Sequence, residues 1–227
     1  MKKMLLWTIG IVVVVLLIAG GFAVFLMQTG RRFDFNTQKM QDLTTQEIAI
    51  KDTTQSIDLN LRTAKINVQA GKHALLKIKD AGKNELEVTQ NTKTLSLSQA
   101  NALKHHLEIG KTPEITLTVP ANQLSKISGE LLNGTVKIQD LRLQSLQLHH
   151  HNGTTRIKNT RLAQNSTLTK DNGATDLDGL AVPGLNITVK TGQITVHDKK
   201  LGGKKEFVSG QRPRFNIRSG SGQVKIN

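Results

Sequence analysis

The sequence runs to 227 residues, with 31 Lys and Arg against 17 Asp and Glu, a formal charge of +14 that draws a chain toward phosphate-rich polymers or anionic lipid headgroups. Cysteine is absent, which excludes disulfides, thiolate metal sites, a cysteine nucleophile and lipid attachment through a cysteine. Aromatic residues are only 3 % of the chain, too few for the stacking platforms of single-stranded nucleic-acid binding, so nucleic acid is disfavoured as a partner.

Lys2 and Lys3 precede a stretch from Met4 to Met27 that carries no charge. As a helix those 24 residues reach about 36 Å, enough for a hydrocarbon core of about 30 Å. A cleaved secretory signal normally ends its apolar core after about 7–15 residues. Ala19-Gly20-Gly21 offers such a site, but Phe22 to Met27 continue the apolar run beyond it. The segment therefore reads as an uncleaved anchor within 1–30 that spans the membrane once over residues 4–27. A three-residue tail ahead of a large body predicts a body on the extracytoplasmic side of the cell membrane.

Residues 31–45 read as a polar juxtamembrane linker, and residues 46–227 as an all-β domain. Short alternating runs follow one another there: EIAI, SIDLNL, AKINV, ALLKIK, ELEV, TLSLS, HLEI and ITLTV, separated by Gly, Asn, Lys and Thr clusters. The one stretch with a helix-like stripe is Gln99 to Leu107, through Ala100, Leu103 and Leu107.

From about residue 121 a phrase recurs: NGTVKIQD, NGTTRIKN, NGATDLDG, TGQITVHD and SGQVKIN. Its glycines are Gly134, Gly153, Gly173, Gly192 and Gly222, spaced by 19, 20, 19 and 30. A period near twenty is the mark of stacked repeats. Alternation after each glycine predicts inward pairs Val136/Ile138, Thr155/Ile157, Thr175/Leu177, Ile194/Val196 and Val224/Ile226. Each repeat reads as strand, tight Asn-Gly turn, strand. The array over 121–227 is thus expected to be a β-solenoid or β-roll, with an antiparallel β-sandwich of Asn-Gly hairpins as the alternative. The inward threonines predict loose packing in the middle of the array.

The departure from the period is a basic insertion over 198–214, DKKLGGKKEFVSGQRPR. Insertions of this kind fall on one face of a repeat array, often the binding face. Lys199, Lys200, Lys204, Lys205, Arg212 and Arg214 are accordingly the candidate contacts for an anionic partner, either a wall polymer or lipid headgroups.

Where ITLTVPANQL runs into GELLNGTVKI, the chain resembles the bacterial putative-adhesin β-repeat family, which includes LiaG-like membrane-anchored proteins associated with envelope stress. The resemblance covers roughly residues 46–227 and rests on Val119-Pro120, Leu124 and the repeated Asn-Gly-x-Val-x-Ile units. It implies an extracytoplasmic, non-enzymatic envelope protein that binds or scaffolds. It brings no catalytic residue and no cofactor. It also suggests, as the alternative, an accessory partner of other membrane proteins in a stress-sensing system.

Gly110-Lys111-Thr112 ends like a phosphate-binding loop, but His105 stands where the loop needs its first glycine. Asp171, Asp176 and Asp178 form the acidic part of the array and could serve a β-helix glycan enzyme, yet no second component accompanies them, and a solvated acidic rung is expected. In the run His149-His150-His151, alternation sends His149 and His151 outward together. With no neighbouring carboxylates visible in the sequence, and only His105 or His106 as conceivable further ligands, a polar surface is expected there and no metal site.

Overall fold

A computed structural model describes residues 2–100, 102–104, 107–203 and 205–227, with side chains of the first helix from residue 7 onward. Helix α1 (Lys2–Thr29) contains the apolar window Trp7–Thr29, of mean hydropathy 3.0, long enough to cross a bilayer. Strands β1 (Arg31–Asp34) and β2 (Lys39–Ala49) follow, so the expected linker over 31–45 is a hairpin instead. Its alternation has a use on both faces: Phe33 and Phe35 on one, Arg32 on the other.

The next strands are β3 (Ser56–Ala70), β4 (Leu75–Gly82), β5 (Leu86–Gln90), β6 (Thr94–Gln99), β7 (Glu108–Gly110) and β8 (Glu114–Val119). SIDLNL and AKINV thus merge into the single long strand β3. Among the described residues of the helix-like stripe after Gln99 none is helical, and Leu103 and Leu107 are exposed.

The array comprises β9 (Lys126–Gln139), β10 (Arg142–Leu143), β11 (Ser145–Lys158), β12 (Arg161–Leu162), β13 (Ser166–Asp178), β14 (Gly184–Val196), β15 (Lys199–Lys200), β16 (Glu206–Gly210) and β17 (Arg214–Ile226). Its long strands are parallel and in register, in the order β14-β17-β13-β11-β9-β3. The solenoid expectation therefore holds, and the hairpin sandwich does not. β10 and β12 pair on a short third side, extended by a bridge from Arg161 to Ala181.

Each repeat is one continuous bent strand, and its glycine is a corner in mid-strand where a hairpin turn was expected. Gly134, Gly153, Gly173, Gly222 and Gly192 form one ladder across the sheet, continued by Ala64 of β3. Gly153 has φ 123°, and a Cβ there would lie 1.9 Å from the Gly134 carbonyl oxygen. Beside the glycines run Asn133, Asn152 and Asn172, whose side-chain amides bond along the stack: Asn152 Nδ2 donates to Asn133 Oδ1 at 3.3 Å and Asn172 Nδ2 to Asn152 Oδ1 at 2.9 Å.

On either side of the corner, alternation stacks the same inward position rung upon rung. One column is Leu59, Gly129, Leu148, Leu168, Ile217 and Ile187; another is Val68, Ile138, Ile157, Leu177, Ile226 and Val196. Most of these apolar side chains are buried in one core that runs the length of the array. At β3 the stack divides: its first arm continues onto β6, and its second onto β8 and then β4, β2, β1 and β7.

Chain order and spatial order differ at the far end. β14 leaves an empty slot beside β13, and β17 returns to fill it, parallel to both. This is the structural meaning of the 30-residue spacing. The 198–214 segment in between supplies β15 and β16, which pair antiparallel with β14 and cover the edge it would otherwise expose.

Gly153→Ala is expected to destabilise the fold by about 3 kcal/mol, through positive-φ strain and the collision with the Gly134 carbonyl. Urea denaturation measures it. The same change at Gly202, where φ is 32° and nothing lies within 4 Å, should cost far less.

Candidate functional site

The five described basic residues of 198–214 do not form one patch. Lys199 and Lys200 extend the second-arm end of β14, paired with Val196 and Thr195. Lys205 folds back on the corner, its Nζ donating to the Gly192 carbonyl at 2.8 Å. Arg212 and Arg214 lie at the other end of β14, where with Asn165, Asn186 and Asn216 they line a cleft of about 330 Å³. Asn165 Oδ1 accepts from the Arg214 backbone N–H at 3.0 Å, and Asn186 Nδ2 donates to Asn216 Oδ1 at 3.3 Å. Lys204 lies outside the described residues, as do His105 and His106.

The histidine run presents a more elaborate arrangement. His149 and His151 point outward as expected, and their rings stack with centroids 3.8 Å apart. The expectation that no carboxylate stands near them does not hold. Glu130 comes from β9 on one side and Asp171 from β13 on the other. Glu130 Oε1 lies 2.6 Å from His151 Nε2 and 3.4 Å from His149 Nδ1. Asp171 Oδ2 lies 2.6 Å from His151 Nδ1, and its Oδ1 lies 3.3 Å from His149 Nε2. Burial works against a charged His151, but the hydrogen bonds to Glu130 and Asp171 outweigh it and hold the imidazole above its ordinary range. Burial likewise works against a charged Asp171, and the bonds to His151 and His149 outweigh it and hold that carboxyl low.

Behind this outward cluster the same strands turn a polar group inward. His150, Thr155, Lys170 and Thr175 are all buried, so the middle of the array is filled by polar side chains where slack packing was expected. Lys170 Nζ donates to the Gly153 carbonyl at 3.0 Å and to His150 Nδ1 at 3.3 Å. Thr155 Oγ1 lies 2.8 Å from the same nitrogen. With Nδ1 accepting from the lysine, the ring proton sits on Nε2. Burial, reinforced by the Lys170 ammonium, pushes His150 down to about 3. Burial pushes Lys170 down to about 8, against the pull of Asp171. Strand parity alone would have found Lys170, which stands two residues after the inward Leu168.

Comparisons with known proteins agree with the fold. Residues 54–227 match the family profile described as Toastrack DUF4097. A structure described as a putative cell adhesion protein from Clostridium sporogenes aligns at TM-score 0.64 and 15 % identity, covering 81 % of this chain and 98 % of that one. A putative adhesin from Bacteroides fragilis aligns at 12 % identity over 82 % of this chain and 97 % of its own, with a TM-score of 0.26 that adds nothing to the argument. No curated protein matches in sequence.

Lys170→Met should stabilise the protein at pH 7. The unfolded chain holds the lysine proton up to about 10.4, and the folded chain releases it near 8, a difference on the order of 3 kcal/mol against the folded state below pH 8. Stability of the unmodified protein should therefore rise from pH 8 toward 10. In urea denaturation with EDTA present, the variant should be the more stable at pH 7 and should lack that rise.

Proposed function

The chain belongs to the Toastrack DUF4097 family, and from that premise we propose that it is a membrane-anchored, extracytoplasmic binding or scaffold protein of the adhesin-like kind. It acts by presenting a rigid β-array from the envelope, without catalysis. The observation that carries this reading is the packing of α1 into the body. Leu26 is fully buried, and the Phe22 ring meets the Phe33 ring of β1 edge-on at 5.9 Å. A signal segment destined for removal has no reason to form part of the folded core.

β1 is tied to the body through its other face. Arg32 is buried and pairs with Glu85, and donates through Nη1 to the Lys111 carbonyl at 3.2 Å. Glu108, 3.9 Å from Arg32 Nε, also receives Arg62 Nη2 at 2.7 Å. This buried ion cluster makes the helix and the array one mechanical unit.

The face around Phe33 supports a body seated on the bilayer. Met40 and Ile109 pair with Phe33 across the ladder, and Phe35 and Leu107 continue the same side. Phe35 and Met40 are each 43 % exposed and Leu107 is 64 % exposed, beside the point where the helix leaves the apolar layer. Apolar side chains at that depth lie at the acyl–headgroup boundary. The cleft of Arg212 and Arg214, at the far end of the array, is then the surface offered to carboxylate or phosphate groups of an envelope polymer.

The chain has one tryptophan, Trp7, and no cysteine, so intrinsic fluorescence and single-cysteine labels report cleanly. In vesicles containing nitroxide lipid, Trp7 should be quenched, a label at Phe35→Cys should be quenched partly, and a label at Val208→Cys should not. Protease should digest the array in intact protoplasts. Protection of the array until lysis would overturn the extracytoplasmic reading. Loss of Trp7 quenching would overturn the anchor, and equal behaviour of the two labels would overturn the seated body.

A further inference from the structure

We propose that Glu130, His149 and His151 form a zinc site on the outer face of the array, with Asp171 orienting the two rings from their opposite edge. Three adjacent rungs supply it: Glu130 from β9, both histidines from β11 and Asp171 from β13. One ligand atom each from Glu130, His149 and His151 lies within 4.8 Å of the other two. On the opposite edge of the ring pair, the second nitrogens meet Asp171 at 2.6 and 3.3 Å. Each edge of the stacked pair thus sets two imidazole nitrogens beside one carboxylate.

The chemistry of this donor set selects the ion. Two neutral imidazoles with carboxylate oxygens are the ligands of zinc, whereas calcium and magnesium require shells made of oxygen. Zinc has no electronic preference for one geometry, so it tolerates ligands delivered by a rigid scaffold. The scaffold here is rigid because these side chains stand next to fixed columns: His150 between the two histidines and Lys170 before Asp171 both point into the core. His149 aligns with Glu130 across the parallel ladder, so register alone brings nitrogen and carboxylate together.

The inference is independent of the anchor and of the envelope reading, since it concerns an inorganic ion and four side chains. It adds a bridge, because a zinc ion held by Glu130, His149 and His151 keeps a fourth coordination position for a carboxylate or phosphate from outside the chain.

Isothermal titration of the full-length, EDTA-treated protein in detergent with ZnCl2 tests it. One ion per chain is expected, with a dissociation constant in the micromolar range, and magnesium in excess should not compete. His149→Ala and His151→Ala should each weaken binding by at least about 10-fold, and Glu130→Gln should weaken it as well. His73→Ala and His197→Ala should leave it unchanged. Should an alanine variant misfold, by circular dichroism, Glu130→Gln and Asp171→Asn remain as conservative tests. Cobalt substitution gives a second readout, with visible absorption bands that His151→Ala abolishes. Zinc affinity undiminished in these variants, binding lost only in a His105→Ala/His106→Ala double variant, or equal binding of calcium would each overturn the proposal.

Discussion

The fold depends on close approach between each corner glycine and the rung before it. At Gly134, Gly153, Gly173, Gly222 and Gly192, the space of a Cβ is occupied by the preceding rung's carbonyl oxygen at 1.8–2.0 Å. Each strand must bend there, because the two flat arms cannot share one core unless the backbone turns a corner. The corner leaves no room for a side chain, and the backbone angle it requires is open to glycine. A slip of one residue in any rung would put a side chain into that space and reverse every inward position of its arms. The ladder therefore sets register for the whole array, and everything on its surface follows from register.

That dependence explains the histidine cluster. Nothing in the run His149-His150-His151 indicates a carboxylate, because Glu130 lies 19 residues before His149 and Asp171 lies 20 residues after His151. Those separations are one repeat on either side. In a stacked array, residues about one period apart are nearest neighbours, so the relevant spacing for a site is the repeat itself. The outward directions of His149 and His151 were legible from alternation. Their partners become legible only once the rungs are known to be parallel and in register.

Other features divide along the same line. The helix, the all-β body, the period and the inward pairs all express local side-chain preference, which a sequence shows directly. The corners do not. Asn-Gly suits a two-residue hairpin as well as a mid-strand bend, and the choice is made by the backbone of the next rung. The order of the last rungs also depends on distant pairing. A spacing of 30 reads as a loop, yet it contains two edge strands and a return into the slot between β13 and β14. Residues 31–45 read as a linker because the segment is polar. Arg32 is buried against Glu85 and Phe33 is half-buried against the helix, which only the pairing of β1 with β2 and β7 reveals.

The position of β17 bears on how the protein comes to be made. A growing chain folds largely from its beginning, and rungs β3, β9, β11 and β13 can stack as they appear. β14 cannot join them, since its neighbour in the sheet is 30 residues further along. Until that segment emerges from the ribosome or clears a translocation channel, the growing stack keeps an open edge and β14 has no parallel partner. Completion of the array is thereby tied to the arrival of β17. An early interruption in this region would leave an incomplete, edge-exposed product instead of a slightly shorter version of the same fold.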